Sequence, residues 1–175
     1  MLMTSGPQRP PLHWRPAPGR LVATALVLLL VSAAPAFADA TVFVGSTATP
    51  ANRPVKGLAF GAVFLALGFE FEFAQTGETL GEAAPSLKTG MGNVLLQTPI
   101  PFAGIQFYVT TGGGLYRERL GENQVTHFGL NAGGGAKISL LGPIRARLDY
   151  RVFTLSGEPL HAVVQRIYAG LNIGF

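Results

Sequence analysis

Gln165 to Phe175 reads QRIYAGLNIGF, and its two faces decide the fold. Counted back from Phe175, apolar residues take every second place: Ile173, Leu171, Ala169 and Ile167. Between them stand Gly174, Asn172, Gly170, Tyr168 and Arg166. Successive side chains of a strand point to opposite sides, so a period of two is a strand with two unlike faces. One greasy face running out to a terminal Phe suits a strand with lipid on one side and a polar interior on the other.

Composition points the same way. The chain has 175 residues, room for one domain. Charged residues make up 13%, about half the usual share, and 23 residues are Gly. That is too little charge to clothe a soluble sphere. Mean hydropathy is +0.35, yet beyond residue 38 no apolar run approaches the roughly 18 residues of a membrane helix. A chain that is greasy overall but lacks a helix-length run is what a barrel crossing by strands requires. Cysteine is absent, which excludes disulfides and thiolate chemistry.

The first 38 residues read as a cleaved secretory signal peptide. Arg9, Arg15 and Arg20 are basic with no acid among them, Leu21 to Val31 is an unbroken apolar core, and Ala36-Phe37-Ala38 is a small-residue cleavage site. The overlapping Ala38-Asp39-Ala40 offers a second cut after Ala40. Residues 39–175 are then the mature domain. It keeps ten of the 13 Lys and Arg and all nine acids, so its net charge is 10 − 9 = +1. No basic field remains for a nucleic-acid partner.

Within that domain the clearest alternation is Gly68 to Ala74, GFEFEFA. Phe69, Phe71 and Phe73 face one way and Glu70 and Glu72 the other. Seven further strands are expected: 41–47, with faces unassigned, 56–64, 88–98, 105–117, 126–140, 144–152 and the closing 165–175. In 56–64, Leu58, Phe60, Ala62 and Phe64 oppose Gly57, Ala59, Gly61 and Val63. In 144–152, Arg145, Arg147, Asp149 and Arg151 share one face. The 88–98 segment is the least regular, because Val94-Leu95-Leu96 breaks its alternation. Connections are expected to be long at 48–55, 76–87, 118–125 and 154–162 and short at 65–67, 98–104 and 141–143. Such an asymmetry puts the short turns on the periplasmic side. The glycine triplets 112–114 and 133–135 mark kinks, or places where an aromatic lies over bare backbone. No helix follows them, so they are not phosphate loops.

Tyr168, Gly170, Ile173 and Phe175 resemble the closing-strand signal of bacterial outer-membrane β-barrels. The mature chain is similar to the small eight-stranded members, of the OmpA-domain and opacity-protein kind. The resemblance implies an all-β fold, a closed antiparallel transmembrane barrel of eight strands. It also implies insertion by the barrel-assembly machinery with periplasmic chaperones, outer-membrane lipid as the surrounding partner, and a monomer. Lumen positions then fall to Glu70, Glu72, Lys137, Arg145, Arg147, Asp149, Arg151 and Arg166, with Gln106, Asn131, Asn172, Tyr108 and Tyr168. Eight strands enclose little more than their own side chains, so these charges should pair. The scheme expected is arginines of the last two strands against Glu70 and Glu72. The alternative is a narrow path lined with arginine.

No enzyme, cofactor or metal site is expected. Outer-membrane lipid A deacylases carry a His followed two residues later by Ser, but here His127 is followed by Phe128-Gly129. The palmitoyltransferase kind uses His, Asp and Ser near the outer rim, and His161 with Ser156 and Glu158 is a poor match to it. The histidines are too scattered to bind metal together. Three functions remain: a structural or surface-interaction barrel, a narrow channel or carrier for small or apolar solutes, and a secreted soluble ligand-binding barrel of lipocalin kind. The last would have Phe69, Phe71 and Phe73 packed inside.

Overall fold

The computed structural model describes residues 37–175. Eight strands follow one another: β1 (Phe37–Thr47), β2 (Arg53–Phe64), β3 (Leu67–Thr76), β4 (Ser86–Gln97), β5 (Ile105–Leu120), β6 (Asn123–Leu141), β7 (Ile144–Leu155) and β8 (Val163–Gly174). Each pairs antiparallel with the next, and β8 returns to β1 to close the barrel. Closure leaves no unpaired edge, the one arrangement in which a sheet can stand in lipid. The sole helical element among the described residues is a single turn, Leu80–Glu82.

The wall is inverted relative to a soluble protein. Phe69, Phe71 and Phe73 are 57%, 65% and 54% exposed on its outer face, whereas Glu70 and Glu72 are 2% and 0% exposed inside it. The same alternation runs around the barrel, with Val42, Phe60, Val109, Leu130, Leu148 and Ile167 all outside. The soluble-barrel alternative needs the opposite arrangement and does not fit.

Several boundaries differ from those read in the sequence. Pro54 was expected in a loop, but it stands near the start of β2 opposite Ser46 with its side chain outward. A strand end is where a residue without an N–H is tolerated. Residues 88–97 of the expected segment 88–98 are a regular part of β4, because Leu95 simply points inward with Leu87 and Met91. The lumen is therefore not uniformly polar, and an apolar residue on its face looks like a break in the pattern. Gly112–Gly114 does not interrupt β5, which runs unbroken for 16 residues.

The expected long loop at 118–125 is a two-residue turn, Gly121–Glu122, with Gly121 at φ +60°. The chain there is used to lengthen β5 and β6 instead, and the 123–128 end of β6 lies beyond the last β7 partner. The expected contrast of loop lengths fails on that side, since 98–104 at the opposite end is as long as 156–162. The expected leader lies outside the described residues except for Phe37 and Ala38, which open β1.

Candidate functional site

Among the described residues the interior gathers the buried charged groups, and it is layered. At the end holding both termini of the barrel, Lys137 of β6 donates to Asp39 of β1 at 2.5 Å, both fully buried. Above this pair lies a continuous cluster of three arginines and three carboxylates. Arg147 presents its guanidinium fork to Glu70, with Nη2 donating to Oε1 at 3.1 Å and Nη1 to Oε2. The same Nη2 donates to Asp149 Oδ2 at 2.8 Å. Arg151 donates to Glu70 Oε1 at 2.8 Å and to Asp149 Oδ1 at 3.0 Å, and its Nη1 is 2.9 Å from Glu72. Arg166 of β8 donates to Glu72 Oε1 at 3.2 Å.

These eight groups form a set in which four cations meet four anions, so the buried charge sums to zero. Neutrality matters because a lone ion taken out of water costs several kcal/mol even after relaxation. Two tyrosines complete the set. Tyr108 donates to Asp149 and accepts from Arg147 Nε at 2.7 Å, and Tyr168 donates to Glu72 at 2.7 Å. Inward glycines make the room. The Tyr108 ring lies where a side chain at Gly135 would stand, and the Phe43 ring where one at Gly57 would.

Toward the loop end the lumen turns apolar. Leu87, Met91, Tyr116, Phe153, Leu155 and Val164 form one buried cluster. Arg166 joins the two layers, since its guanidinium carbon lies 4.5 Å from the centre of the Phe153 ring. That is cation–π range, and it places an aromatic face against an arginine with spare N–H groups. At the mouth Arg53 donates to the carbonyls of Gly77 at 3.1 Å and Pro85, which ties the β3–β4 connection down over the lumen.

The structure thus brings Glu70, Glu72, Arg147, Asp149, Arg151 and Arg166 together, and Lys137 into a separate pair. Arg145 is a correction. It shares the inward side of β7 with Arg147 and is partly buried, its guanidinium beside Gly174, but it makes no ion pair with a carboxylate among the described residues. Asp39 was missed, because reading it at the edge of the leader left the faces of β1 unassigned. Phe43 was missed because the faces of 41–47 were left unassigned, and Phe153 because it lies just past the expected strand 144–152. Of the closing-strand residues, Tyr168 is buried inside, Gly170 lies against Phe43, and Ile173 and Phe175 face outward. His127 packs against Gly157 and is tilted against Tyr116 with ring centres 6.3 Å apart. No group of His and carboxylates among the described residues could hold a metal ion.

The closed eight-stranded antiparallel barrel is a fold that solved outer-membrane barrels share. No family model and no curated protein matches the sequence. Among solved structures the chain is similar to Neisserial surface protein A, with TM-score 0.64, 14% identity, and 79% of this chain and 96% of that one covered. It is also similar to the N-terminal β-barrel domain of Pseudomonas aeruginosa OprF, with TM-score 0.59, 13% identity and 79% and 97% covered. A third is the outer membrane enzyme PagL, with TM-score 0.51, 11% identity and 77% and 98% covered. At these identities the likeness is one of fold.

Proposed function

We propose that this protein is an exported, monomeric, integral outer-membrane barrel with a structural or surface-interaction role and a non-conducting lumen. The observation that carries this is the pair of faces on one wall: phenylalanines more than half exposed outside, paired ions wholly buried inside. The lumen supports the structural reading over the channel, because arginine side chains and the apolar cluster occupy the path a solute would take. The similar solved structures include both surface proteins and an enzyme, so fold alone assigns no chemistry. The reading as a non-enzyme rests on the site: His127 lies beside the Tyr116 ring and Gly157, with no hydrogen bond to Ser156 among the described residues.

Recovery of a heat-modifiable folded band in the outer-membrane fraction, with the hairpin at Gly121 open to external protease, is the expected result. In planar bilayers the folded protein should give no conductance steps, and regular steps would return the channel. We further assign residues 1–38 as the leader and Tyr168, Gly170, Ile173 and Phe175 as the signal read by the assembly machinery. Phe175 is largely exposed, so deleting it should spare the stability of barrels that form while lowering their yield in cells. An unchanged yield would count against the assignment.

A further inference from the structure

Charge on the outer wall is distributed in a way that the barrel itself does not need. Every acid in a strand (Asp39, Glu70, Glu72, Glu118 and Asp149) is buried on the inward face. The charged strand residues that point outward are four, all cations: Lys56 of β2, Lys88 of β4, and Arg117 and Arg119 of β5. Surfaces charged only for solubility intersperse both signs. Here the outward positions of β6, β7, β8 and β1 carry no charge at all, so the cations occupy one side of the barrel.

The register lines them up. Lys56 pairs with Gln75, Gln75 with Lys88, Lys88 with Arg117 and Arg117 with Thr126, a single row of neighbours across five strands. Adjacent strands lie about 4.8 Å apart, so three cations span about 14 Å. One step inward along the strands the row beneath is apolar: Leu58, Phe73, Gly90, Leu115 and Phe128, again neighbour to neighbour. Two adjoining depressions follow this boundary and share Gln75 and Lys88. One, of about 240 Å³, is lined by Lys88, Arg117 and Arg119 among polar residues. The other, of about 480 Å³, runs from Lys56 and Lys88 down over Leu58 and Phe73. Glu78, the sole acid lining either, is engaged with Arg119 at 3.5 Å and with the Gly121 amide at 2.6 Å.

We propose that this strip binds the phosphate-bearing head group of a lipid in the leaflet on the loop side, with an acyl chain in the groove over Leu58 and Phe73. The inference rests on the membrane reading above. Phosphate is the anion that arginine engages in a fork and lysine as a point charge. Lipid is favoured over a soluble polyanion because the cations stand on the lipid-facing wall above an apolar row rather than on loop tips. A long cationic side chain there can lay its stem on the apolar row and hold its head at the interface.

The test uses the full mature barrel, folded into phosphatidylcholine nanodiscs doped with lipopolysaccharide, and native mass spectrometry of the lipid retained. The comparison is with K56Q/K88Q/R117Q, whose changes are all on the exposed wall and leave the lumen intact. Wild type should retain the phosphorylated lipid, and the triple variant should hold it on the order of a hundredfold more weakly, about fivefold per cation. Dephosphorylated lipopolysaccharide should be retained by neither. Equal retention by both proteins, or no loss on dephosphorylation, overturns the site. Binding of a soluble sulfated glycan without lipid retention overturns it in favour of a glycan partner. If neither protein enters nanodiscs of any composition, the membrane reading itself fails and takes the site with it. Insertion of both without lipid preference sinks the site alone.

Discussion

The lower and upper halves of the lumen fill the same cylinder with opposite chemistry. Around Arg147 the space is occupied by ions whose partners come from strands β1, β3, β6, β7 and β8. Around Met91 it is occupied by side chains that need no partner. Both fill space inside the barrel, but they differ in what a single change leaves behind. Removing one ion strands another in a buried place, whereas removing a methionine leaves only a void. The ionic half is therefore expected to tolerate single changes less well than the apolar half.

The largest effect should come from Arg147→Ala. It leaves Glu70 and Asp149 with one guanidinium between them, and truncating one partner of a buried pair costs about 3–5 kcal/mol. Urea unfolding of the folded protein in detergent should show the loss, and an unshifted midpoint would contradict the staple. Met91→Ala sharpens the contrast. It should cost about 2–4 kcal/mol by lost contact and residual cavity, without the charge penalty. A cost above that of Arg147→Ala would reverse the ordering of the two halves. The smallest effect is expected when both members of the separate pair are replaced together, Asp39→Leu with Lys137→Met. Exchanging a whole buried ion pair for apolar residues of similar size is close to neutral, within about 1 kcal/mol, or mildly stabilising. Either single change should be the worse one.

The same pair bears on processing. A cut after Ala38 keeps Asp39 for Lys137, while a cut after Ala40 removes it and leaves a buried ammonium alone. Cleavage after Ala38 is therefore the expected outcome, and the intact mass of the mature protein reads it directly.

Much of this was legible in the order of residues. The period of two in GFEFEFA and in QRIYAGLNIGF separates the faces, because the pleat of a strand leaves a side chain no other choice. Scarce charge and plentiful glycine then favour a narrow closed barrel over a soluble sheet. What periodicity could not say is which face is inside, since phenylalanine against glutamate reads the same in either setting. The burial of Glu70 and Glu72 against the exposure of Phe69, Phe71 and Phe73 settled that, and closure set who meets whom. Asp39 lies 98 positions from Lys137, and no local pattern could pair them. Nor could it foresee that part of the lumen is greasy. The inward place of Leu95, Met91 and Phe153 follows from their parity along β4 and β7 once it is known which face is enclosed, and that belongs to the assembled barrel and not to any one strand.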